Sequence, residues 1–170
     1  MSVATVSNLQ RITAAKLAEI LLASTNQSSS NSTIAIVDVR DDDHIGGHIK
    51  SSLHFPSRSL DATMPTLLRK LAGKEVVVFH CALSQQRGPS AALRYLRESA
   101  AAAAKTSASS SAAAKAATPE KGGREAGQAD EVPQQQKVYV LDRGFVGWQE
   151  AYGRDERLTE VWRKELWEDY

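Results

Sequence analysis

The chain of 170 residues contains a single cysteine, Cys81. One thiol excludes an internal disulfide and any metal site built from cysteine alone. A reducing, cytoplasmic setting is the expectation that follows, with the nucleus open as well. Charge of one sign is equally lacking. The net charge of +1 leaves no basic footprint for nucleic acid or for an anionic membrane surface. No apolar run reaches the roughly 18 residues that suggest a membrane span, and alanine inflates the 42% hydrophobic share. The opening stretch MSVATVSNLQRITAAKLAEILLAS has no basic start followed by an apolar core, so no secretory signal is expected. Arg11 and Lys16 precede the first acid, Glu19. That leaves a weak transit-peptide reading behind the stronger one, in which the segment belongs to the fold. The length suits one domain with a real core and is short for two.

What is present alternates between two patterns. Ile34–Val39 (IAIVDV) and Val76–Phe79 (VVVF) are short and nearly all apolar, the signature of strands buried on both faces. Lys137–Leu141 is another strand-like run, and Leu53–Phe55 is a candidate short strand before Pro56. An extended start is expected near Val6–Leu9. Helices are expected from about Ala14 to Leu22 with Thr13 as cap, over Thr63–Leu71 with Gly73 as its stop, and over Pro89–Glu98 with proline in the first turn. Ser28–Ser32 reads as a loop, and Gly46-Gly47 marks a turn. Leu158, Val161, Trp162 and Leu166 recur at helical spacing in the tail, which predicts a final helix packed on the core. From about Ser99 to Gln136 the chain is Ala, Ser, Lys, Gly and Gln with little to bury, and reads as a disordered or transiently helical insertion. A strand-like run follows it, so the insertion is expected to interrupt one domain spanning 1–170. Strands alternating with helices predict an α/β fold with a central, mostly parallel sheet flanked by helices. Ligands of such sheets bind at the carboxyl ends of the strands, and Cys81 sits at one of them.

A cysteine at the mouth of a helix faces unpaired backbone N–H groups and the positive end of the helix dipole, both of which favour the thiolate. Ala82, Leu83, Ser84, Gln85 and Gln86 separate it from Arg87. A loop of that length can curl its amides around the sulfur as an anion nest. The planar fork of Arg87 can then grip two oxygens of a tetrahedral oxyanion. Such a site is built for thiolate attack on phosphorus or a similar centre. Ser84 can donate to the sulfur or help expel it. The spacing Cys-x5-Arg carries weight here because His80 precedes it, Gly88-Pro89 follows it, and the setting is strand to helix.

HCALSQQRGPSAA, His80–Ala92, resembles the active-site loop of the M-phase inducer phosphatases and of their small relatives, among them fungal and plant arsenate reductases, all built on the rhodanese fold. Asp38–Arg40 (DVR) with Gly46–Ile49 (GGHI) resembles the front motif of that superfamily, and Val138–Gly153 its closing strand and helix. The resemblance implies Cys81 as nucleophile, Arg87 as oxyanion clamp and the amides of Ala82 through Arg87 as cradle. It places Asp38, Arg40, His48 and His80 in the supporting shell. For His48, local hydrogen bonding is the favoured role over catalysis, and His80 is expected to brace the loop. Two departures stand out. Ala82 and Gln86 occupy positions where the M-phase inducer phosphatases carry acids, so a proton donor from the loop is missing. Asp41, Asp42 and Asp43 are candidates to replace it, although solvated loop charges are the favoured role. Arg143-Gly144 replaces the usual Gly-Gly pair, with Arg143 either adding charge at the pocket mouth or pointing to solvent.

The loop is one residue longer than that of the sulfurtransferases of this superfamily, which favours a four-oxygen anion over a sulfane sulfur. Phosphatase and arsenate reductase share the first step. Reduction needs a second thiol, which with a lone Cys81 must come from glutathione or glutaredoxin; hydrolysis needs only water. The expectation is a cysteine-dependent phosphatase, of tyrosine or dual-specificity type, without cofactor or metal, acting on a phosphorylated substrate. Arsenate reductase is the alternative, ahead of a thiosulfate sulfurtransferase or a non-catalytic binding module. Neither nucleic acid nor membrane is expected as a partner.

Overall fold

The structure, a computed structural model, describes residues 5–26, 32–111 and 136–169. Five parallel strands form the central sheet: β1 (Gln10–Ile12), β2 (Ile34–Asp38), β4 (Leu53–His54), β5 (Val76–His80) and β6 (Lys137–Leu141), in the order β1-β6-β5-β2-β4. The two central strands, β2 and β5, present alternate side chains to opposite faces, and both faces are covered. Ala35, Val37, Val77 and Phe79 pack with helices α2 (Leu60–Leu71) and α3 (Arg87–Ser111) through Leu67, Leu71, Ala92 and Tyr95. Ile34, Ile36 and Val78 pack on the other side with α1 (Ala14–Thr25) and α4 (Gly144–Tyr152) through Leu17, Phe145 and Trp148. Double coverage is why these strands read as continuous apolar runs instead of alternating ones. A second, two-stranded antiparallel sheet joins β3 (His48–Ile49) to β7 (Thr159–Glu160). No helix among the described residues is long and apolar enough to cross a membrane.

Capping follows the local sequence. The Thr13 hydroxyl accepts from the Lys16 amide at 3.2 Å and opens α1. Leu60, Met64, Leu67 and Leu71 are the buried stripe of α2, which starts three residues before the expected Thr63. Pro89 lies in the first turn of α3, where its missing N–H costs no helical bond.

Three expectations are corrected. Val6–Asn8 is a turn of 3-10 helix, and the extended segment lies at Gln10–Ile12. This strand is at the sheet edge and only Ile12 is buried, so hydrophobicity does not announce it. The predicted tail helix is absent. Leu158 is in the core, but Thr159–Glu160 pairs with β3, and Val161, at φ 56°, breaks the chain away and is exposed. Trp162 and Trp167 dock separately, their indole N–H groups donating to Gln149 Oε1 and to the Gly46 carbonyl. Pairing with β3 outweighs a weak helical period. Finally, α3 does not stop at Glu98 but runs on to Ser111 through an alanine-rich stretch of high helix propensity. The rest of the expected insertion, 112–135, lies outside the described residues, as do residues 28–31 of the serine loop. The strand beyond it, β6, sits between β1 and β5 inside the sheet.

Candidate active site

Cys81 directly follows β5 at the carboxyl end of the sheet, and the chain re-enters helix at Arg87. Between them the loop is held from outside by its carbonyl groups. Phe145 N–H donates to the Cys81 carbonyl at 3.0 Å and Val146 N–H to that of Ala82 at 2.9 Å, so the first turn of α4 grips the loop. The Arg11 guanidinium donates to the Ser84 carbonyl at 3.2 Å, and Ser90 N–H to that of Gln86 at 2.9 Å. Of the loop amides, Ser84 N–H donates to the Cys81 sulfur at 3.2 Å, while no protein acceptor among the described residues takes those of Ala82, Leu83, Gln85 or Gln86. Ser84 adopts φ 54°, the left-handed conformation that curves successive amides to one side and forms a nest. It is the Ser84 amide, not its hydroxyl, that reaches the sulfur; the hydroxyl oxygen is buried without a partner among the described residues.

Arg87 does not project freely. Its Nη1 and Nη2 donate to the two carboxylate oxygens of Asp43 at 2.7 and 2.6 Å, and Nη1 also reaches Asp41 Oδ2 at 3.2 Å. Asp41 is tied further, accepting from the Ser57 hydroxyl and from Arg58 N–H at 2.5 and 2.9 Å. The hydrogen bonds of Arg87, followed by its charge, hold the Asp43 carboxyl at about 2 against the opposing effect of burial. Burial works to raise Asp41 as well, but the Ser57, Arg58 and Arg87 contacts outweigh it and hold that carboxyl below the ordinary range. Both acids are thus ionised at neutral pH, and neither stores a proton for a leaving group. Asp42 is exposed and pairs with Arg58 at 3.0 Å. The expectation of solvated charges therefore fits Asp42 but not Asp41 or Asp43. A groove of about 260 Å³ opens beside Arg87, lined by Ser57, Leu60, Asp61, Gln86, Ser90 and Arg94 among others.

Behind the loop lies a fully buried polar trio. Asp38 and Arg40 pair at 2.7 Å, and Arg40 also donates to the Gly47 carbonyl at 2.9 Å and stacks 4.2 Å over the Phe145 ring. The His80 Nδ1 lies 3.1 Å from the Cys81 carbonyl, which can only accept, so Nδ1 carries the proton. Burial pushes the His80 pKa below its ordinary value, against the pull of Asp38, and keeps the ring neutral. For Asp38, burial works upward, while the hydrogen bonds and charge of Arg40 pull the carboxyl below its ordinary value and keep it ionised. The trio ties the ends of β2 and β5 to α4 beneath Cys81, which is itself 3% exposed, with only the fork of Arg87 partly open to solvent.

His48 lies apart from this trio, in β3, with Nε2 2.9 Å from Glu160 of β7. Its ring stacks loosely on His44, which in turn stacks at 3.7 Å on His54. Arg143 is mostly exposed and pairs with Glu150 at 2.9 Å, which settles its orientation in favour of solvent. Sequence reasoning missed Arg11 and the Gly144 end of α4. Arg11 is an isolated cation on an edge strand, and only the loop's need for an outside donor could have pointed to it.

Comparison with known proteins agrees with this architecture. The Rhodanese-like domain profile matches residues 18–151. The chain belongs to that family. It is 37% identical over 117 residues to arsenate reductase 2.2 of Oryza sativa subsp. japonica, covering 68% of this chain and 69% of that protein. It is 33% identical over 143 residues to the CDC25-like phosphatase YCH1 of Saccharomyces cerevisiae, covering 78% of this chain and 76% of that one. The crystal structure of a Saccharomyces cerevisiae homologue of single-domain rhodanese and the Cdc25 catalytic domain superposes with a TM-score of 0.67 at 27% identity, covering 96% and 94% of the two chains. Relatives named for phosphatase activity and for arsenate reduction thus flank this chain at similar distance.

Proposed function

We propose that this protein is a cysteine-dependent phosphatase that hydrolyses phosphate monoesters through a phosphocysteine intermediate. Cys81 is the nucleophile, Arg87 the oxyanion clamp, and the amides of Ala82 through Arg87 the cradle, with Asp38, Arg40 and His80 as support. The observation that carries this reading is the five-residue loop that bends Ser84 N–H onto the Cys81 sulfur and ends at Arg87. It is sized for a tetrahedral anion.

In the first step the sulfur attacks phosphorus, an S–P bond forms and the P–O bond to the leaving group breaks. The electron pair goes to the leaving oxygen, which needs a proton. Asp41 and Asp43 are ionised, so the proton comes from water or from the substrate monoanion. Aryl leaving groups, stable as weakly basic phenolates, suit such a site best, which favours phosphotyrosine over phosphoserine. Water then attacks phosphorus, breaks the S–P bond, and releases phosphate and the thiolate.

Arsenate reduction is the second reading, and the rice relative named for it is the observation in its favour. After the same attack on arsenate, one external thiol would take Cys81 into a mixed disulfide as arsenite leaves, and a second would release Cys81 as the external pair becomes a disulfide, because Cys81 is the only cysteine. Glutathione or glutaredoxin is the chemical class that fits.

Three assays run side by side decide between the readings: aryl phosphate hydrolysis, arsenate reduction with glutathione and glutaredoxin, and thiosulfate sulfurtransfer. Each compares wild type with Cys81→Ser. Phosphatase activity lost in the variant supports the first reading. Near-zero hydrolysis by both proteins, with thiol-dependent arsenate reduction by wild type alone, reverses the order.

A further inference from the structure

The two acids on Arg87 are held in different ways. The Asp41 carboxylate is nearly buried, its side chain 10% exposed, and it accepts from Ser57, from the Arg58 amide and from Arg87. It is part of the framework. The Asp43 side chain is 41% exposed. Beyond Arg87 it is held only by amides of its own turn, that of Asp41 at 2.9 Å and its own, among the described residues. Yet Asp43 takes both Nη groups of Arg87 in the parallel, two-pronged arrangement that a phosphate or arsenate oxygen pair adopts on a guanidinium.

We propose that Asp43 is a resident anion that occupies the Arg87 fork, so that a substrate oxyanion must displace it. Asp41 stays in place and keeps Nη1 oriented while the exchange occurs. This rests on the reading of Cys81–Arg87 as an oxyanion site and adds to it a specificity-determining residue. Exchange of one singly charged carboxylate for another single charge gains little. A dianion gains more, because it brings two charges to the guanidinium and the loop amides together. The gate therefore selects doubly charged tetrahedral anions, such as a phosphate monoester or arsenate, over carboxylates and sulfate monoesters. Asp43 is loosened by displacement and not by protonation, since its carboxyl remains ionised down to about pH 2. The arrangement also separates Asp43 from a mere positioning role by sign. A residue that only positions Arg87 weakens anion binding when it is removed; a competitor strengthens it.

The test uses the full chain and tungstate, a tetrahedral dianion that is not turned over. Its dissociation constant is measured by calorimetry for wild type, Asp43→Asn, Asp43→Ala and the control Asp42→Asn, whose carboxylate faces Arg58. Asn preserves the shape and the turn contact to the Asp41 amide, and thermal melts check that each variant is folded. Asp43→Asn and Asp43→Ala should bind tungstate about two- to fivefold more tightly than wild type, the range expected for removing one partly solvated competing ion pair. KM for an aryl phosphate should fall in parallel, with kcat changed by less than about threefold. Asp42→Asn should match wild type. Tungstate binding by wild type that is unchanged or weaker in both folded Asp43 variants overturns the proposal and leaves the oxyanion site standing. Absence of tungstate binding in wild type and variants alike overturns both.

Discussion

The carbonyl oxygen of Ala82 lies only 2.4 Å from the point a Cβ on Gly144 would occupy. Gly144 also sits at φ 57°, in the left-handed region. The close approach lets the first amides of α4 reach the Cys81 and Ala82 carbonyls and turn those oxygens out of the cradle. Both obstacles to a side chain are backbone, so the loop itself must move. Gly144→Ala should cost about 2–4 kcal/mol of stability, and turnover of an aryl phosphate by the folded fraction should drop at least about 100-fold, in line with a reacting group misplaced by about 1 Å. Urea melts and steady-state kinetics on the same preparation check it.

Arg11 does for the middle of the loop what α4 does for its start. Removing it leaves the Ser84 carbonyl without its donor while Ser84 holds a left-handed conformation. Arg11→Ala is expected to lower kcat/KM about tenfold with less than about 1 kcal/mol change in stability, because the side chain is half exposed. Arg11→Lys should recover part of the loss. An equal loss in both variants would remove Arg11 from the account.

Much of this arrangement was legible in the chain, and the legible parts share a cause. Buried parallel strands must be apolar on both faces, so β2, β5 and β6 announce themselves, and the strand-loop-helix around Cys81 follows from its flanks. The pairing of Asp38 with Arg40 was foreshadowed only as a shared shell, through a family motif. What stayed hidden depends on tertiary partners. Edge strand β1 buries a single side chain, and the tail pattern at Leu158, Val161 and Leu166 is helical in spacing but is broken where Thr159–Glu160 pairs with β3. The grip of Asp43 on Arg87 joins residues 44 positions apart, and nothing in the DDD run tells a clamp from a solvated face.

The Asp38–Arg40 pair is fully buried on both sides. Asp38→Ala leaves a guanidinium uncompensated in the core and should destabilise the protein by about 3–5 kcal/mol in urea unfolding. The double variant Asp38→Ala/Arg40→Met should be more stable than the single one. A single variant within about 1 kcal/mol of wild type would contradict the packing described.

Stability should also fall on mild acidification. Burial, against the pull of Asp38 3.5 Å away, pushes His44 from an ordinary 6.5 to about 4. Below pH 6.5 the unfolded chain accepts a proton that the folded one refuses until about pH 4. Stability therefore declines as pH drops through that window, by on the order of 2–3 kcal/mol. Fully buried His80 acts in the same direction. Asp43, depressed from 3.8 to about 2, adds its own loss only below that window. Urea midpoints at about pH 7 and about pH 4.5 should differ clearly in wild type and less in His44→Asn. Equal differences in the two proteins would assign the effect elsewhere.

The fate of the phosphoryl group tests the account most directly. Wild-type protein is mixed with para-nitrophenyl phosphate, quenched in acid within the first turnovers, digested and analysed by mass spectrometry. The peptide containing Cys81 should carry the mass of one phosphoryl group, absent in Cys81→Ser, which should also fail to release the phenol. Hydrolysis by wild type with no phosphoryl group on Cys81 under these conditions, or undiminished hydrolysis by Cys81→Ser, would contradict it.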